Sequence, residues 1–123
     1  MKLMKQRVRY GEVGLVFRDG RFDRVLEPGI HWLLEGARKV RVVVENEQEV
    51  WMTGDDLRQL RESGVLADRV EYLDLAEGEY ALVTVDGRLA SLLGKGLYGL
   101  FTRMRRVGIE RRSEEHTSEL QSH

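Results

Sequence analysis

The chain lacks cysteine, any long apolar run and any marked excess of charge. Without cysteine there are no disulfides and no thiolate metal sites, and the cytoplasm is the simplest compartment. No stretch of eighteen apolar residues exists, so the sequence holds no spanning helix. The start, MKLMKQRVRYGE, lacks the apolar segment of a secretory signal. Lys and Arg number 20 against 21 Asp and Glu, which is not the footprint of a nucleic-acid binder.

Catalytic groupings are missing too. Of the three histidines, His116 and His123 lie in a polar tail, leaving His31. No serine, histidine and acid are spaced for nucleophilic catalysis, and no second ligand is placed to help His31 bind a metal. Gly11-x-x-Gly14 follows no strand and opens no helix, so it is not a phosphate loop. Glu45, Glu47 and Glu49 alternate, and a solvated strand face explains them better than a cation site. No cofactor and no small-molecule substrate are expected.

What the chain does contain is an internal repeat. Gly11 to Leu33 (GEVGLVFRDGRFDRVLEPGIHWL) aligns without a gap with Gly78 to Leu100 (GEYALVTVDGRLASLLGKGLYGL), 67 positions on, and ten of 23 residues are identical. Asp19-Gly20 and Asp86-Gly87 each sit between apolar-rich runs. Asp-Gly suits a two-residue type I′ hairpin, whose central residues both need positive φ. That turn would set Phe17 opposite Phe22, Leu15 opposite Arg24 and Val13 opposite Leu26. In the second copy Thr84, Leu82 and Tyr80 would face Leu89, Ser91 and Leu93. Phe17, Phe22, Val13 and Leu26 would then form one buried surface, with Arg18 and Arg21 in mild conflict at the tip. Glu27-Pro28-Gly29 and Gly94-Lys95-Gly96 make the next turn, with Gly29 and Gly96 at positions suited to φ above zero. A third apolar run follows in each copy, so each is read as a three-stranded meander. His31 is replaced by Tyr98 in the repeat, which makes it a half-buried ring with a polar tip.

Between the copies, Val40 to Val44 reads as a strand, with Gln48 to Met52 as its partner. Thr53 caps a short helix at about 54–63, with Asp55 and Asp56 at its positive end. Leu57 and Leu60 share one helix face, Gly64 stops the helix, and Val65 and Leu66 supply the following apolar contact. Residues 69–75 alternate as a strand, with Val70 and Tyr72 on one face and Leu73 and Leu75 on the other.

The expected fold is mainly β, an α+β chain with one short helix. Two repeated meanders (about 9–34 and 76–101) would pack as a small barrel or sandwich in a single domain, 1–111, giving seven to nine strands. Residues 112–123, RSEEHTSELQSH, resemble the translation of a sequencing-library adapter and are read as a non-native or disordered tail. Without them the net charge is +1 and the natural chain is expected to continue. Two surfaces remain as contacts. Arg103, Arg105, Arg106 and Arg111 form a basic run that could rest on an anionic membrane, although a solvated face is the commoner role. Trp32, Phe22 and Phe101 suit the core, and any exposed part of them would be an interaction patch.

Glu12 to Phe22, then Val25 to Trp32, resemble the opening of the stomatin, prohibitin and flotillin (SPFH, band 7) superfamily, closest to bacterial slipin-like proteins. Leu75 to Tyr98 resembles a stretch that some bacterial slipins carry ahead of their main domain. The likeness covers about half the chain and is strongest over 11–33. It implies a non-catalytic amino-terminal portion of a scaffold that organises a membrane-associated assembly, peripheral at the inner membrane. It also implies self-association or a membrane-protein partner. The chain departs from the family in lacking an amino-terminal membrane hairpin and a long heptad helix, and in having Lys95-Gly96 for Pro-Gly. The rival reading is a soluble β-rich ligand- or protein-binding module.

Overall fold

The computed structural model describes residues 1–52 and 56–114. Among them are ten strands, more than the seven to nine expected. They are β1 (Lys2–Val8), β2 (Glu12–Arg18), β3 (Arg21–Leu26), β4 (Gly29–Glu35), β5 (Val40–Asn46), β6 (Val70–Leu75), β7 (Glu79–Val85), β8 (Arg88–Leu93), β9 (Gly96–Phe101) and β10 (Val107–Ser113). One α-helix, α1 (Leu57–Ser63), lies between β5 and β6. The chain is mainly β, and its sheets do not close into a barrel.

The duplication is wider than the sequence repeat. In unit 1, β1 pairs antiparallel with β4, and β3, β2 and β5 form a second sheet. In unit 2, β6 pairs with β9, and β8, β7 and β10 form the counterpart. Loop hydrogen bonds repeat at the same offset. Asp19 N–H donates to Lys39 O at 2.9 Å, and Asp86 N–H donates to Arg106 O at 2.8 Å. Glu47 N–H donates to Gly11 O, and Glu114 N–H donates to Gly78 O. Equivalence therefore spans five strands per unit, and β10 runs two residues into the segment read as tail.

Within each unit the two sheets pack face to face. Unit 1 buries Val8, Val16, Leu26 and Leu33, with Val40 and Val42 beside them. Unit 2 buries Leu75, Val83 and Leu100, with Leu93, Val107 and Ile109 beside them. Each of these residues lies 67 positions beyond its counterpart. Full burial of such a side chain stabilises by about 1.5–3 kcal/mol.

Strand pairing departs from the simple hairpin in one place. At the tip, Phe17 pairs with Phe22 and Arg18 with Arg21, as the Asp-Gly turn requires. Val16 then pairs with Arg24, leaving Asp23 as an extra residue. The second hairpin repeats this: Thr84 pairs with Leu89 and Val83 with Ser91, leaving Ala90 extra. A bulge shifts register by one, so residues beyond it exchange faces. Leu15 therefore faces Val25 rather than Arg24, and Gly14 rather than Val13 faces Leu26. Leu82 faces Leu92, and Ala81 faces Leu93. Leu26 thus joins the inner core, away from Phe17, Phe22 and Val13. Asp23 lies 3.2 Å from Arg18, which relieves the contact between the arginines at the tip.

The third strand of each copy leaves its hairpin. β4 pairs with β1, and β9 with β6, rather than continuing a meander. Gly29 and Gly96, at φ 143° and 148°, carry the chain into the opposite layer in a conformation that L side chains rarely adopt.

The linker joins the units. Gln48 to Met52 does not pair with β5. Glu47–Glu49 forms a 3₁₀ turn, and Trp51 bridges Leu100 while Met52 N–H donates to Gly99 O. The expected helix start falls partly on Thr53, Gly54 and Asp55, which lie outside the described residues. Asp56 makes no capping bond with its side chain and instead accepts from Arg41 at 3.3 Å. Gly64 ends α1 in the left-handed region, and Leu66 is buried while Val65 is exposed. Across the linker, Val13, Leu15 and Phe17 of unit 1 meet Val70 and Phe101 of unit 2, with Met52, Leu60 and Leu66 between.

Candidate functional site

The residues singled out in the turns have structural duties. Asp19 and Gly20 sit at φ 50° and 80°, and Asp86 and Gly87 at 52° and 84°. Each aspartate also accepts from the chain entering the last strand of its unit: Asp19 from Lys39 N–H at 2.9 Å, Asp86 from Arg106 N–H at 3.2 Å. His31 Nε2–H donates to Glu27 O at 2.6 Å, and the Tyr98 hydroxyl donates to Gly94 O at 3.0 Å. The two rings hold equivalent turns closed over Pro28-Gly29 and Lys95-Gly96.

The four arginines of the basic run go to different elements. Arg103 donates to Glu47 at 2.6 Å, Arg105 to Asp86 at 2.9 Å, and Arg111 to Asp74 O at 3.1 Å. Arg106 has an exposed side chain and gives its backbone N–H to Asp86. Arg105 in turn holds the Asp86 carboxyl below its usual range.

Two ion pairs were not foreseen. Arg69, just before β6, donates to Glu27 at 2.7 and 3.1 Å and is 95% buried. Its guanidinium draws the Glu27 carboxyl down, and the pair raises Arg69 in return. Glu47 is fully buried with Arg103 as its partner, and Glu45 is buried as well, so neither belongs to a solvated strand face. Both pairs clamp unit 2 onto unit 1 or its linker. The sequence carried no signal for them, because their partners lie 42 and 56 positions apart. Burial also raises the Tyr72 hydroxyl. Among the described residues no group of three His, Asp or Glu side chains converges to hold a metal ion.

Two outward faces stand apart from this closed interior. On β1 and β4, cross-strand pairs place Leu3 with Leu34, Lys5 with Trp32 and Arg7 with Ile30 on one side. Trp32 is 60% exposed, with the Lys5 ammonium 5.9 Å from its ring centre. On β7 and β8 the outward side carries Thr84 with Leu89 and Leu82 with Leu92. Leu89 is 67% exposed, and a shallow recess of about 290 Å³ is lined by Leu82, Thr84, Leu89, Gly108 and Glu110. Of the three aromatics expected in the core, Phe101 is fully buried, Phe22 is half-buried and Trp32 stays outside. No family model, curated protein or solved structure matches this chain.

Proposed function

We propose that this chain is a non-catalytic, β-rich portion of a slipin-like SPFH scaffold, whose role is to hold an assembly together at a membrane. The observation that carries the reading is the resemblance over 11–33, whose turn residues form a duplicated, closed hairpin. Glu47 is engaged with Arg103, Arg69 with Glu27, and His31 with a backbone carbonyl. Among the described residues no helix is long and apolar enough to cross a membrane, so attachment through this stretch would be peripheral. Arg106, whose side chain is exposed, would meet anionic headgroups and add about 1 kcal/mol, while Arg105 and Arg111 are already engaged with Asp86 and the Asp74 carbonyl. The rival, a soluble protein-binding β module, is favoured by the two exposed apolar faces.

Co-sedimentation of the chain with vesicles decides between them. Binding to phosphatidylserine vesicles that is lost in high salt and in Arg106→Glu supports peripheral attachment. Equal recovery with phosphatidylserine, with phosphatidylcholine and without lipid removes it and leaves the protein-binding module.

A further inference from the structure

Unit 1's β2–β3 hairpin is gripped by α1, and the matching hairpin of unit 2 stands open. The grip has three parts. Gln59 meets the strand edge as a neighbouring strand would: its Oε1 accepts from Phe22 N–H, and its Nε2–H donates to Gly20 O at 3.1 Å. Leu60 is buried against Val13, Leu15 and Phe17. Asp56, just ahead of the helix, accepts from Arg41 of β5 at 3.3 Å. In unit 2 the same edge groups are Leu89 N–H and Gly87 O, on residues that are exposed. Thr84 pairs with Leu89 as Phe17 pairs with Phe22, so the N–H of the second residue points away from its hairpin in both units.

The sequence holds no second α1. The position 67 residues beyond Leu57 lies past His123, and α1 itself is committed to unit 1 by the burial of Leu60. A second copy of the chain therefore cannot lend its helix without opening its own core. The open site also differs from unit 1's in size and charge. Phe17 and Arg41, whose guanidinium lies 4.4 Å from the ring centre, fill the middle of the unit 1 face. Their equivalents are Thr84 and Gly108, and the space they leave is the recess of about 290 Å³. Val43 is replaced by Glu110, which lines that recess. The cation that held Asp56 is gone, and a carboxylate stands near its place. A helix that fits unit 2 needs a larger apolar residue than Leu60 and a neutral cap where α1 has Asp56.

We infer that the open edge and recess of unit 2's β7–β8 hairpin bind a short amphipathic helix of a partner polypeptide. The helix carries a glutamine that bridges Leu89 N–H and Gly87 O. One residue later it carries a large apolar side chain that enters the Thr84–Gly108 recess. The apolar anchor supplies most of the affinity, and the two edge bonds fix the register. This site goes beyond the scaffold reading, since it needs neither a membrane nor a second copy of the chain.

An NMR titration of the isotope-labelled full chain with a designed peptide tests this. The probe is residues 56–66 with Asp56→Ser and Leu60→Trp. Arg58→Lys is joined to Glu62 through a lactam, at two positions exposed in α1, because a helix this short is marginal alone. The amide signals of Gly87, Leu89 and Gly108 should shift and saturate. Gln59→Met in the probe removes both edge bonds and should weaken binding about tenfold. Thr84→Phe in the chain refills the recess as unit 1 does and should also weaken binding about tenfold, with an unchanged circular dichroism spectrum. Signals that never shift, shifts centred on Trp32, or equal affinity for the Gln59→Met probe overturn the inference. That last comparison uses the unaltered chain, so it decides the matter even where Thr84→Phe disturbs the hairpin.

Discussion

Units 1 and 2 share an interior and differ in what they turn outward. The inner residues stay aliphatic and keep their place: Val8 and Leu75, Val16 and Val83, Leu26 and Leu93, Leu33 and Leu100. The outer ones change character. Phe17 becomes Thr84, Arg41 becomes Gly108, and Trp32 becomes Gly99. Inner positions answer to a close-packed core shared by two sheets, where a change of one methylene is felt. Outer positions answer only to whatever covers them, and unit 1's hairpin is covered where unit 2's is open. Duplication therefore preserves the scaffold and frees the surfaces to specialise.

The sharpest way to break the comparison is to substitute equivalent positions and measure urea unfolding. Phe101→Ala empties the fully buried contact between units and should cost about 4 kcal/mol. Its counterpart Leu34→Ala, on an exposed face, should cost less than about 0.5 kcal/mol in the monomer. Next come the buried charges. Arg103→Met leaves the Glu47 carboxylate buried without its cation and should cost about 3 kcal/mol. Adding Glu47→Gln should return part of that loss, whereas Glu114→Gln, at the exposed equivalent, should stay within about 0.5 kcal/mol.

Positions where the units agree predict equal effects. Gly20→Ala and Gly87→Ala place a Cβ at φ 80° and 84° with open space around it. Each should cost about 1 kcal/mol, and the two should match within about 0.5 kcal/mol. The smallest effect is the pH dependence of the clamp. Arg69 lowers the Glu27 carboxyl from its ordinary value, so this pair's contribution is present above the unfolded carboxyl range and lost as pH falls through the lowered value. In Glu27→Gln the drop in urea midpoint between pH 5 and pH 3 should be shallower than in the parent. An unchanged drop would assign acid sensitivity to other carboxylates.

Local chemistry was legible in the sequence, and distant pairing was not. The Asp-Gly tips, the Gly64 stop and the exchange of His31 for Tyr98 all follow from preferences that act within a few residues. The two faces of β6 follow from period-two alternation. The bulges at Asp23 and Ala90 left no mark, because one extra residue changes neither turn nor composition, yet each moved half a strand to its other face. The pairing of β4 with β1 depends on where Gly29 sends the chain, which no apolar pattern encodes. Glu45, Glu47 and Glu49 looked like one alternating edge. In fact β5 ends at Asn46 and the 3₁₀ turn carries Glu47 inside. The outward faces were half visible: Trp32 was marked as a patch only if exposed, and the recess at Thr84 and Gly108 needed the two units superimposed.

The register between the units, constant at 67 residues from the first strand to the last, has a genetic consequence. Unequal crossing-over between the two stretches keeps the reading frame and lands on matching positions of the same strand. One product loses a whole unit and another gains one, each with intact hairpins at the junction. A product with one unit would keep its hairpins but bare the face that Val13, Leu15 and Phe17 bury against the other unit, so the architecture favours gain of a unit over loss of one.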